Sequence, residues 1–174
     1  MFASVSQWWD SALVFVQQNA HLTGPLVFAL GFGEGIAFIS LFVPSTFLFL
    51  GIGAMHSASG GEFWPIWLAG AAGAAAGDSV SYALGWYFKQ DVRRVWPIRK
   101  YPELIPRGQI LFERWGVLSI IAGKFIGGLR PFIPVVAGTL NMPLGLFLLA
   151  SVTSSLLWAG VFLAPGYGLS FLMH

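Results

Sequence analysis

Residues 112–140 read FERWGVLSIIAGKFIGGLRPFIPVVAGTL. The run is apolar enough for one long helix, yet Gly127-Gly128 and Pro131 sit in its middle and Lys124 and Arg130 flank the interruption. Glycine disfavours a helix interior by about 1 kcal/mol and proline by about 3. The stretch therefore predicts two short helical arms around an open turn, with two bases held among apolar side chains. The alternative is an ordinary spanning helix kinked at Pro131, since membrane helices tolerate Pro and Gly.

The rest of the sequence puts that stretch in a membrane. The 174 residues are 56% hydrophobic and 9% charged, against about 25% charged in a soluble domain. A soluble fold would have almost no charge with which to cover its surface. With no cysteine in the chain, disulfides and thiolate chemistry are excluded. All nine Lys and Arg lie between Lys89 and Arg130, and seven of them fall between Lys89 and Arg114 beside Pro97, Pro102 and Pro106. So confined a basic island argues against nucleic acid as a partner and reads as a cytoplasmic connector under the positive-inside rule.

Working outward in both directions gives a single all-α polytopic membrane domain over residues 1–174. An interfacial helix at 1–23 carries Trp8 and Trp9 but is interrupted by Asp10 and Gln17. A first broken hairpin at 25–58 is divided at Pro44-Ser45, and an unbroken transmembrane helix follows at 64–88. The basic cytoplasmic connector spans 89–111, the second broken hairpin 112–141, and a last transmembrane helix 143–171. The same order thus occurs twice. A shift of 90 positions sets Gly33-Glu34 on Gly123-Lys124 and Phe42-Val43-Pro44 on Phe132-Ile133-Pro134. That pattern predicts an inverted repeat of a re-entrant hairpin plus a transmembrane helix, an arrangement common in secondary transporters.

Four ionisable residues, Glu34, Asp78, Lys124 and Arg130, lie inside the apolar segments. Each costs at least about 2.5–3.5 kcal/mol at the centre of a membrane helix. Two acids and two bases can form structural ion pairs that neutralise one another. They can also form a site. Lys124, Arg130 and the open backbone N–H groups at Gly127 and Gly128 are suited to receive an anion such as a phosphate, while Glu34 is placed to exchange a proton. Glu34 and Arg130 are expected to meet, one from each hairpin. Asp78 shares a helix face with Tyr82 and can be satisfied by hydroxyls. His21, His56 and His174 have no ligand spacing, so no metal or cofactor is expected.

These residues resemble the DedA family, also called SNARE-associated or VTT-domain membrane proteins. The likeness runs from Pro25 to Leu169. It rests on Glu34 with Phe42-Val43-Pro44-Ser45, on Gly77-Asp78 with Tyr82 and Gly85, and on Gly123-Lys124-Phe125-Ile126 through Arg130, Pro134, Ala137-Gly138 and Met142. The resemblance implies two facing re-entrant hairpins, an essential membrane acid at Glu34 and paired basic positions at Lys124 and Arg130. It also implies lipid transport or scrambling in a bacterial plasma membrane, with undecaprenyl phosphate as the substrate of some members. Three positions depart from the family pattern: Thr46 stands where a second acid is common, Lys124 where Arg is usual, and Gly127 where proline is frequent. The chain ends soon after Gly166-Tyr167-Gly168, as expected of a short member or of one domain of a longer fusion.

The function expected is therefore a membrane lipid transporter acting on a lipid phosphate, with membrane lipids as partners and protons as a candidate coupling ion. The alternatives are a phospholipid scramblase, a non-transporting envelope-integrity or assembly factor, and a proton-driven drug or cation exchanger. The basic pair argues against the last. No nucleophile, base and orienting group can be assembled from the candidates, so enzymatic chemistry is not expected.

Overall fold

The computed structural model describes residues 19–36, 45–89, 104–126, 130 and 132–172, and the described residues hold seven helices and no strand. Residues 1–18 of the interfacial helix expected at 1–23, the break at Pro44, and Gly127 and Gly128 lie outside them.

Helix α1 spans Ala20–Gly35 and runs through Pro25, so the boundary expected between 23 and 25 falls inside a helix. Proline this close to a helix start removes only one intrahelical bond, and the apolar residues beyond it carry the helix on. After residues 37–44, helix α2 spans Ser45–Ala58, and a turn with Gly60 at φ +74° leads into α3, Phe63–Phe88. At 26 residues, α3 is ~39 Å long.

Helix α4, Leu104–Trp115, crosses the boundary set at 112 and occupies ground read as connector. Pro106 falls in its first turn, where the missing N–H would have had no intrahelical partner, and Leu111 and Phe112 pack against buried neighbours further along. Gly116, at φ +54°, turns the chain into the short helix α5, Leu118–Gly123. Helix α6 spans Phe132–Thr139 and stops at Asn141, which takes the left-handed conformation at φ 52° that often closes a helix. Helix α7, Leu144–Leu172, is 29 residues long and contains Pro165.

Two apolar clusters hold these helices together, and α3 and α7 contribute to both. Val27, Phe49, Ile66, Ala74, Trp158 and Leu163 join α1 and α2 to them, while Tyr82, Ile120, Ile133, Ala137, Phe147 and Ala150 join α5 and α6. Backbones touch where side chains are smallest. A Cβ on Gly77 of α3 would strike the carbonyl of Phe32 and lie 2.8 Å from Cα of Gly35 on α1, so only glycine permits this approach.

The outward faces carry large apolar side chains such as Trp64, Leu68, Leu149, Leu157 and Val161. In water this would be an extended exposed apolar surface. Among the described residues one helix, α7 over Leu144–Gly168 with mean hydropathy 2.0, is both long and apolar enough to cross a membrane. The segment expected as a second crossing, α3, has the length, but its glycines, serines and Asp78 lower its hydropathy.

Candidate functional site

The four charges from the apolar segments converge, although they come from distant parts of the sequence. Glu34 sits in the last turn of α1 and Asp78 in the second half of α3, whereas Lys124 follows α5 and Arg130 precedes α6. Glu34, Asp78 and Lys124 are buried, and the Arg130 side chain is 11% exposed. They form two ion pairs, each joining a helix of the first half to the chain of the second.

In the first pair the Lys124 ammonium donates to Asp78 Oδ2 at 2.5 Å and to Ser155 Oγ at 2.5 Å. Ser151 Oγ donates to the same Asp78 oxygen at 2.8 Å, and Ser154 Oγ is turned to the Ser151 carbonyl at 2.9 Å. This network meets the condition under which a buried pair is tolerated, in which further hydrogen bonds satisfy the ions beyond their mutual attraction.

The second pair is less complete. Arg130 Nη1 donates to Glu34 Oε1, and the guanidinium lies over the Trp158 ring with its carbon 3.9 Å from the centroid. Trp158 is fully buried on α7 and braced edge-on by Phe49 at 4.8 Å. A cation over an indole ring gains roughly 0.5–2 kcal/mol. Glu34 Oε2, Arg130 Nε and Arg130 Nη2 are buried without a hydrogen-bond partner. Buried polar atoms are rarely left so. Near Glu34, Ser81 Oγ donates to the Gly35 carbonyl at 2.8 Å, satisfying one of the acceptors at the end of α1.

A cavity of about 10 Å³ lies between Asp78, Lys124, Arg130, Ile120, Ile133 and Pro134. That is room for at most one water molecule, so little space is left beside the two bases. Tyr82, one turn beyond Asp78, does not supply the hydroxyl expected for that acid; its OH donates to the Met142 carbonyl and its ring stacks on Phe147 at 4.3 Å. The outer side of Tyr82 instead borders a groove of about 530 Å³ lined by Ser79, Ala83, Trp86, Met142 and Leu144. Thr46 lies in the first turn of α2, and its side chain is outside the described residues.

The sequence reading missed Ser151, Ser154, Ser155 and Trp158. Three hydroxyls at i, i+3 and i+4 in an otherwise apolar helix mark a polar stripe on one face, and Trp158, seven beyond Ser151, continues that face. Among the described residues no three His, Asp or Glu side chains converge as metal ligands would.

A chain of exposed apolar helices around a buried cluster of two acids and two bases is a membrane protein, and its sequence matches the VTT domain over residues 43–168. The chain belongs to that family, the DedA family. It is similar to the inner membrane protein YabI of Escherichia coli K12, with 32% identity over 152 residues covering 87% of this chain and 60% of that protein. It is also similar to the E. coli inner membrane protein YghB, at 29% over 146 residues covering 83% and 67%. An uncharacterized membrane protein of Mycobacterium tuberculosis H37Rv is 40% identical over 102 residues, covering 55% of this chain and 47% of its own. This chain thus spans about 60% of the length of YabI. No solved structure matches it.

Proposed function

We propose that the chain is the multi-pass core of a bacterial inner-membrane transporter that moves a lipid phosphate, undecaprenyl phosphate or a close relative, across the bilayer. The observation that carries this reading is the pair of unpartnered donors on Arg130. Nε and Nη2 lie along one edge of the guanidinium and form a two-pronged fork matched to two oxygens of a phosphate. The third nitrogen is held by Glu34 and the guanidinium carbon rests over the Trp158 ring, so the fork is anchored on two sides before any anion arrives.

In this reading the paired cluster is the resting state. A phosphate entering beside Arg130 takes the open edge of Nε and Nη2, and uptake of a proton by Glu34 offsets the added negative charge. Lys124 contributes a second positive charge while Asp78, Ser151 and Ser155 hold it in place. The hydrocarbon chain remains in lipid, and no covalent bond is made or broken. α1 with α2, and α5 with α6, act as facing re-entrant hairpins of an inverted repeat, and the basic connector expected at 89–111 is on the cytoplasmic side.

A second reading has specific support: both bases are already paired, and the cavity beside them has no room for a phosphate. The four charges are then structural, as in an assembly or envelope-integrity factor. Proteoliposomes loaded with fluorescent undecaprenyl phosphate separate the two. The transport reading expects flux from wild type, none from Arg130→Ala, and none from Glu34→Gln combined with Arg130→Ala even where that combination folds. Equal flux from the combined variant and wild type would establish the structural reading.

A further inference from the structure

Helix α4 presents two unlike sides. Leu111 and Phe112 pack inward against the apolar cluster of Tyr82, Ile120 and Phe147. Arg107, Ile110 and Arg114, at i, i+3 and i+7, form a separate stripe along one side. All three are exposed, Ile110 at 62%. Trp115 at the helix end is 50% exposed, and Leu118 just beyond it 59%. A stripe of base, aliphatic and base on a helix that ends in an exposed tryptophan is the pattern of a helix lying in a headgroup layer, with apolar side chains dipping toward the acyl chains and arginines reaching the phosphates.

The spacing decides what the two arginines meet. Seven residues of helix separate their backbones by about 10.5 Å, too far for one phosphate to be gripped by both. Two neighbouring headgroups satisfy them, and a free anion does not. The single acid described on this helix, Glu113, lies off the stripe, and five more Lys and Arg stand in sequence between Lys89 and Lys100. We propose that α4 lies in the plane of a leaflet interface and that Arg107 and Arg114 bind the headgroups of anionic phospholipid, with Ile110 inserted between them. This assignment is independent of the transport reading.

The absence of native cysteine makes the test direct. Ile110→Cys in the full chain is labelled with an environment-sensitive fluorophore and reconstituted into vesicles of phosphatidylcholine with or without phosphatidylglycerol. The label is expected to be quenched by lipids carrying a nitroxide high on the acyl chain and spared by aqueous iodide. Competition between brominated phosphatidylglycerol and brominated phosphatidylcholine is expected to favour the anionic lipid. Arg107→Gln with Arg114→Gln should lower that preference about fivefold per arginine, from roughly 1 kcal/mol for each basic residue near a charged surface. Arg107→Lys with Arg114→Lys should retain it, which separates charge from folding. Quenching by iodide alone would place the helix in water, and protection from both quenchers would place it against another protein. Equal affinity for the two lipids, or displacement of phosphatidylglycerol by inorganic phosphate at constant ionic strength, would replace the surface with no site or with a simple ion site. Each of these four results overturns the proposal.

Discussion

Lys124 and Arg130 are six positions apart in sequence, yet they are neutralised by acids on two different helices, Asp78 on α3 and Glu34 on α1. The bases therefore work as separate members of the cluster. Lys124 donates to a carboxylate and a hydroxyl, while Arg130 has one carboxylate oxygen, an indole face and two donors to spare. The asymmetry divides the roles of the two residues, and the first two predictions rest on it.

Arg130→Lys keeps a charge opposite Glu34 but loses both the fork and the guanidinium contact with the Trp158 ring. Hydrogen bonds to charged groups contribute roughly 1.5–3 kcal/mol, so lipid-phosphate flux in proteoliposomes should fall about ten- to a hundredfold. Unimpaired flux from the lysine variant would mean that the fork takes no part.

Asp78→Ala leaves the Lys124 ammonium buried with Ser155 as its remaining partner. Removing one member of a buried pair costs about 3–5 kcal/mol, which should appear as a large drop in the unfolding midpoint in detergent. Adding Lys124→Met should recover most of that loss and still leave the protein without transport. Identical midpoints for the single and double variants would show that the pair is not energetically coupled.

Gly138→Ala should destabilise by about 1–3 kcal/mol through overpacking. A methyl group there would run into the backbone of α3, meeting the Tyr82 carbonyl and coming within 2.6 Å of the Trp86 nitrogen. Gly51→Ala in α2, where nothing lies within 4 Å, should gain about 0.5–1 kcal/mol from helix propensity. Unfolding of the two variants side by side checks the close approach of α3 and α6; equal stabilities would contradict it.

Single cysteines at Glu62 and Glu113, both exposed, report the sidedness of α3. An impermeant maleimide applied to intact cells should label position 62 and spare position 113 until the membrane is opened. The reverse pattern would invert the topology.

Much of this site was legible because a charge in an apolar run is conspicuous: Glu34, Asp78, Lys124 and Arg130 were all found from sequence, as was the meeting of Glu34 with Arg130. The partner of Asp78 was not. Helical spacing put Tyr82 on the same face, but a tyrosine side chain is long and its hydroxyl reaches Met142 well past the acid, while the hydroxyls that do serve Asp78 and Lys124 lie on α7. Local periodicity says which side chains share a face and nothing about which foreign helix lies against it. Helix α4 was hidden for a different reason. Pro106 reads as a breaker, and only its place in the first turn makes it harmless. The inward packing of Leu111 and Phe112 that supports the helix is tertiary and invisible in a linear pattern.

The contact of Gly35 with Gly77 has a mechanical meaning. Where two backbones touch, there is no layer of side chains to act as a lubricant. A register slip of α1 along α3 would push Glu34 or Ile36 into the space that only a hydrogen atom fills now, and it would break the bond from Ser81 to the Gly35 carbonyl. The two acids, Glu34 and Asp78, thus ride on what is in effect a single stiff beam. Any movement that parts them from their bases is assigned to the other side of the cluster, where the six-residue helix α5 hangs from the left-handed turn at Gly116.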